Sequence, residues 1–289
     1  MSESYPIYRR LPVPDDLELA TWTWRAEGTT FLLVHGLASN ARLWDELAAL
    51  LFDQGHDVVT VDMRGHGLSD RPLDGYDFAT VTGDLLAVIE QLAVIEQVAT
   101  SPVIAVGQSW GANVVLELAA RYPDRVSSVV CVDGGFIDLS ASFPSWVEAA
   151  AALTPPPLPA APVADIASQA AARYPGFPPQ GIAAQIANLE ADENGLVRRR
   201  LPLQAHMAIL RHLYDHRPVS RAADVHQPVL LIAARNDEMP DKGERAAALQ
   251  ESLPRARLIW LEGHHDIHAE QPGVLATIIA RACREGFLV

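Results

Sequence analysis

From Leu17 to Pro123 the chain alternates short, unbroken apolar runs with longer segments in which apolar residues recur every three or four positions. The runs TTFLLVHG, DVVTVDMRG and SPVIAVG predict strands, and their continuous apolarity suits central parallel strands covered on both faces. Between them, ARLWDELAALLFDQG and FATVTGDLLAVIEQLAVIEQ carry the helical period. The near-duplicate AVIEQLAVIEQ is too short for a solenoid unit and fits one amphipathic helix. Strand-like runs return at VSSVVCVDGG, QPVLLIAARND and ARLIWLEG, with DKGERAAALQESL as the helix between the last two. This order predicts an α/β fold with a sheet flanked by helices.

The alternation stops between about Phe136 and His216, where TPPPLPAAP, YPGFPPQG and RRRLP break short helix-like pieces around residues 146–153, 163–173 and 203–214. Proline at this density ends helices and sets rigid bends. Apolar residues such as Trp146, Leu189 and Leu210 give the stretch faces that a linker does not need. The expectation is a core of residues 1–135 and 217–289, with 136–216 as an inserted, mostly helical cap.

Composition narrows the function classes. Of the 289 residues, 49% are hydrophobic and 20% charged, a globular balance. A formal charge of −14 disfavours nucleic acid and anionic lipid, so neither is expected as a partner. No apolar run is read as a membrane span, and the opening MSESYPIYRRLPVPDD has no basic stretch followed by an apolar core. A cytoplasmic location is the resulting expectation. Cys131 and Cys283 stand apart in apolar runs and are expected to be buried free thiols, and Lys242 is the one lysine in the chain. A homodimer is left open, because an apolar cap face suits either a subunit contact or a pocket wall.

The chemistry concentrates around AVGQSWGANVV. Ser109 stands between Gly107 and Gly111, after the strand VIAV and before a helix that Pro123 ends. A strand–turn–helix with this G-x-S-x-G spacing raises the serine hydroxyl on a sharp turn beside the free N–H groups of a helix start. Serine needs a base to become a nucleophile, and GHHDIHAEQP offers His264, His265 and His268. The base needs a carboxylate to orient it. Asp237, past the strand LLIAA, is the first expectation, with Glu238 beside it; Asp133 in VDGG also ends a strand and is expected to serve its turn, acid duty being its alternative. The three histidines lie too close together for an evident metal set, and GHGLSD lacks a dinucleotide glycine pattern, so neither metal nor cofactor is expected.

These stretches resemble the α/β-hydrolase superfamily. VHGLASNARLW is similar to its oxyanion loop, VDMRGHGLSD to a turn common after the next strand, GQSWGAN to the nucleophile elbow, ARNDEMP to the acid loop and GHHDIHAEQP to the histidine loop. The resemblance implies a mostly parallel eight-stranded sheet and a Ser109, Asp237, His265 triad. His265 is singled out because it stands five residues before the Glu of the E-x-P pair Glu270 and Pro272. It further implies an oxyanion hole from the main-chain N–H groups of Leu37 and Trp110. His35, Phe136 and Trp146 are the expected substrate contacts, His35 also as an anchor of its loop. The activity implied is hydrolysis of a small to medium uncharged carboxylic ester through an acyl-enzyme. Thioester, lactone or carbon–carbon bond hydrolysis on the same triad are its neighbours, and a ligand-binding sensor without turnover is the alternative from another class.

Overall fold

A computed structural model describes residues 6–95, 97–235 and 241–289. Its main sheet has eight strands: β1 (Ile7–Val13), β2 (Leu17–Trp24), β3 (Thr30–Val34), β4 (Asp57–Val61), β5 (Val103–Gln108), β6 (Val126–Val132), and, after a two-stranded hairpin of β7 (Leu189–Ala191) and β8 (Val197–Arg199), β9 (Val229–Ala234) and β10 (Ala256–Leu261). The order across it is β1-β2-β4-β3-β5-β6-β9-β10. The first two strands are antiparallel to their neighbours, and every pairing from β4 to β10 is parallel. The fold is therefore the mostly parallel, eight-stranded α/β architecture expected.

Alternate residues of each central strand enter different cores, which is why these strands read as continuously apolar. Leu32 and Val34 of β3, Ala105 of β5, Cys131 of β6 and Leu231 of β9 pack on one side with α2 (Phe78–Ile95) and α3 (Trp110–Arg121). Phe31, Leu33, Val106, Val132 and Ile232 face the other side, against α1 (Asp45–Asp53) and a C-terminal helix at Pro272–Arg284. Helix α2 corrects one expectation: it is 18 residues long with a mean hydropathy of 1.6, enough by length and composition to cross a membrane. In the fold its Val81, Leu85, Val88, Ile89 and Leu92 are core residues, while its Asp84, wholly buried, takes a bidentate pair of hydrogen bonds from Arg64 at 2.6 and 2.7 Å.

Between β6 and β9 the chain forms α4 (Leu139–Ser142), α5 (Trp146–Leu153), α6 (Val163–Arg173), α7 (Pro179–Ile186), the hairpin, α8 (Leu203–Asp215) and α9 (Pro218–Arg221). Ser145 caps α5 by accepting from the N–H of Glu148, and Pro179 opens α7 where its missing N–H costs nothing. The hairpin β7–β8 takes in Arg198 and Arg199 of the basic run Arg198–Arg200. Glu190 gathers Arg71, Arg198 and Arg200 at 2.8–3.0 Å, so this run is held by a carboxylate from the facing strand. The remaining helices are α10 (Lys242–Ser252), α11 (Ile267–Glu270) and α12 (Pro272–Arg284).

Candidate active site

Ser109 lies immediately past β5 and just before α3, at φ 54° and ψ −124°. This left-handed backbone is uncommon for a residue with a side chain and is held here by packing on every side. A Cβ on Gly107 would stand 2.2 Å from the carbonyl oxygen of Gly111, one on Gly111 2.4 Å from that of His35, and one on Gly134 2.3 Å from that of Ser109 itself. Three glycines thus let β5, the start of α3, the end of β3 and the turn after β6 converge on one serine. The N–H of Ser109 donates to Val132 of β6 at 3.0 Å, which ties the elbow to its neighbouring strand.

His265 reaches Ser109 from the loop after β10. The hydroxyl Oγ and the ring Nε2 are 2.8 Å apart, and the ring Nδ1 is 2.7 Å from Oδ2 of Asp133. The carboxylate fixes the tautomer: Nδ1 carries the proton and donates to Asp133, leaving Nε2 to accept from Ser109. Gln108 steadies the loop, its amide donating to the main-chain carbonyl of His265 at 3.0 Å. The same amide side chain packs against Gly36, where a Cβ would lie 2.4 Å from Oε1. Nothing in the sequence reading pointed to Gln108; its place directly before the serine is the signal that was there to use.

Asp133 differs from the expectation. It ends β6, the strand next to that of Ser109, has φ 46°, and is fully buried. Its turn role is real, since Oδ1 accepts from the N–H of Ala234 in β9 at 2.8 Å, but Oδ2 also faces the imidazole. Asp237 and Glu238 lie outside the described residues. The buried side chain of Lys242, the first residue of α10, places its ammonium 2.6 Å from Oδ1 of Asp133.

The other two histidines of the loop are occupied differently. His264 is exposed and its Nδ1 stands 3.1 Å from Oε1 of Glu270. His268 is fully buried against Trp44, with ring centroids 4.3 Å apart, and burial lowers its pKa to about 4. It is a neutral core ring.

The loop after β3 is built on two more neutral histidines. His35, wholly buried, accepts from the N–H of Met63 at Nε2 (3.0 Å) and donates from Nδ1 to the carbonyl of Gly36 (2.7 Å). Burial brings its pKa down to about 4. Both ring nitrogens are engaged, so His35 anchors its loop and offers no polar atom to a substrate, which corrects its placement among the substrate contacts. His66 accepts from the N–H of Ala38 at 3.2 Å and lies nearly parallel to the ring of Trp110, with centroids 5.7 Å apart. Leu37, between these anchors, is half-buried, and Trp110 opens α3, where helix geometry leaves its N–H without an intrahelical acceptor. Asp62 completes the support, accepting from the N–H groups of Ala41 and Leu68, each at 2.7 Å.

Of the expected side-chain contacts, Phe136 is buried in the core at the start of the insertion, two residues past Gly134. Trp146 is half-buried on α5, edge-on to Tyr214 of α8 with centroids 5.9 Å apart, and Arg211 lies over its ring. The insertion is fastened to the site's loops: Asn40 donates to the carbonyl of Ala184 and to Asn188, and Gln185 donates to Asp266, the neighbour of His265. A hydroxyl, an imidazole and a carboxylate linked in this order can move a proton off the hydroxyl as it attacks an electrophilic carbon.

The model of the alpha/beta hydrolase fold family matches residues 29–272. The chain is 30% identical over 219 residues to 2-(acetamidomethylene)succinate hydrolase of Mesorhizobium japonicum, covering 74% of this chain and 73% of that protein. Among solved structures, E-2-(acetamidomethylene)succinate hydrolase superposes with a TM-score of 0.75 at 24% identity, covering 96% of this chain and 98% of that one. The thioesterase domain from the curacin biosynthetic pathway also gives 0.75, at 19% identity, over 96% of this chain and all of that domain.

Proposed function

Given that the chain belongs to the α/β-hydrolase family and is a hydrolase of that family, we propose that it is a serine hydrolase that cleaves a carboxylic ester through an acyl-enzyme, with Ser109, His265 and Asp133 as nucleophile, base and acid. The observation that carries this reading is the unbroken chain from Ser109 Oγ through His265 to Asp133, at 2.8 and 2.7 Å.

His265 Nε2 takes the hydroxyl proton while Oγ forms a bond to the ester carbonyl carbon. The electron pair of the C=O moves to oxygen, and the main-chain N–H groups of Leu37 and Trp110 donate to that oxyanion, each contributing on the order of 3 kcal/mol. Asp133 stays ionised and stabilises the imidazolium. Collapse of the adduct breaks the C–O bond to the alcohol, which leaves with the proton from His265. Water then attacks the acyl-serine with the same base, releasing the carboxylic acid and restoring Ser109. The segment 136–216 acts as a cap, with Phe136 and Trp146 as apolar walls for a small to medium acyl or alkyl group.

One relative favours a second reading. The Mesorhizobium japonicum protein that matches over most of its length is by name a hydrolase of an acetamido compound. The same steps serve an N-acyl substrate, with the amine taking the proton from His265. The test is a panel of p-nitrophenyl esters of increasing acyl length, thioesters and N-acyl enamines, with a fluorophosphonate label read by mass. Labelling at Ser109 and ester turnover that Ser109→Ala lowers by about 10⁴-fold or more is the expected result. Turnover confined to N-acyl compounds selects the second reading, and ligand binding with no labelling at Ser109 overturns both.

A further inference from the structure

Asp133 has no exposure to solvent, and its two oxygens have divided tasks. Oδ2 accepts from His265, while Oδ1 accepts from the main-chain N–H of Ala234 and from the ammonium of Lys242. A carboxylate removed from water keeps its charge only where donors and a counter-charge replace hydration. The ammonium is itself 6% exposed and stands at the N-terminal end of a helix, where a cation is disfavoured by the helix dipole. No gain in helix stability explains a lysine at that position, whereas the contact with Asp133 does.

We propose that Lys242 is a positioning residue of the proton relay. Its ammonium pins Oδ1 so that Oδ2 faces His265, and its charge weakens the hold of His265 on a proton, keeping the ring a free base at lower pH. This rests on the Ser109–His265–Asp133 reading given above. Without the ammonium, the imidazolium is the remaining counter-charge on the buried carboxylate among the described residues, which favours the protonated ring. The sign follows: loss of the Lys242 charge moves the acid limb of kcat/KM to higher pH.

Among the described residues, the other charged and titratable groups near His265 come from three elements: the loop after β10, α11 and the loop after β3. They are Asp266, which accepts from Gln185; His264, held by Glu270; and the buried rings of His268 and His35. Around Lys242 on its own helix are Asp241, Glu244 and Arg245, the last bound to the carbonyl of Asp138 and to Ser142. Asp237 and Glu238 follow β9 in sequence, outside the described residues. All of these are constant among the variants compared below.

The experiment is the pH profile of kcat/KM for the native chain, Lys242→Gln and Lys242→Arg, with Asp133→Asn as the control for the relay. In Lys242→Gln the acid limb is expected to rise by about one pH unit, so that activity on the acid side falls about tenfold further than on the plateau. Lys242→Arg keeps the charge and is expected to restore the native limb. An unmoved limb in folded Lys242→Gln, with Asp133→Asn inactive, overturns the role of Lys242 alone; Asp133→Asn at native activity overturns the relay reading beneath it. Should the glutamine variant not fold, the native chain still decides, because its single lysine gives one side-chain signal after labelling with ¹⁵N-lysine. The chemical shift of that Nζ signal is expected to move in step with the acid limb as His265 changes charge, and a signal flat across it overturns the proposal.

Discussion

Asp133 receives three hydrogen-bond donors on a buried carboxylate, and the acid role proposed for it is tested against Asp237 at this single residue. Replacing it by Asn removes the charge that orients and stabilises the imidazolium, so Asp133→Asn is expected to lower kcat by about 10³–10⁴-fold with the fold retained. Asp237→Asn, measured beside it with the same ester and checked by circular dichroism, is expected to keep most of kcat. The reverse ranking would return the acid to the loop after β9. The proposed nucleophile and base were legible from local grammar: a serine between two glycines, and a histidine set by its distance from an E-x-P pair. The proposed acid was not. In the sequence an aspartate follows each of two adjacent strands, β6 and β9, and no one-dimensional pattern says which carboxylate meets a ring that arrives from β10. The signal that could have helped was the pair of glycines after Asp133, the first of which, Gly134, permits the close approach of the turn to Ser109.

At the scale of elements, α3 does more than start at the nucleophile. One turn along it, Asn113 accepts from the N–H of Gly135 and donates to the carbonyl of Ile137, where the chain enters the insertion. The same amide donates to Nδ1 of His216, where the insertion ends, and Nε2 of His216 donates to Glu117 on the next turn of α3. Burial alone would push the Glu117 carboxyl up, yet the His216 hydrogen bond and the charges of Arg221 and Arg121 outweigh it and bring the pKa down to about 2. A depressed carboxyl contributes stability that is present above its unfolded value of about 4.5 and lost as pH falls toward 2. Glu117→Gln is therefore expected to lose on the order of 3 kcal/mol at neutral pH, read as a lower denaturant midpoint, and to narrow its gap to the native chain below pH 4. The strands and helices of the core follow from period and punctuation. The small hairpin β7–β8 does not, because three-residue strands give too few positions for an alternating pattern and owe their place to Glu190 and its arginines.

For the molecule as a whole, the two cores on either face of the sheet enclose rings that must stay neutral. His35 and His268 are buried with pKa values of about 4 against an ordinary 6.5, both through loss of solvent. The unfolded chain binds these protons first as the medium is acidified, so stability falls from about pH 6.5 to about pH 4 and their contribution then levels off. Each ring accounts for on the order of 3 kcal/mol over that window. Urea titrations across pH 7 to 4 are expected to show this decline, and His268→Phe, which keeps the stack on Trp44, is expected to reduce it by about 3 kcal/mol; a native chain equally stable at both ends would contradict the assignment. The architecture was readable because alternation of runs and helical periods records burial on both sheet faces. The interior titration was not, since the same residue type occupies the active loop at 265 and the core at 268, and only packing tells them apart.

The insertion leaves the core and rejoins it within reach of one asparagine side chain. An insertion whose two ends meet at one side chain can be exchanged while the sheet keeps its own connections. Lineages that swap these eighty-odd residues for another covering would change which molecules enter while the machinery beneath stays in register, so novelty in diet need not await novelty in chemistry.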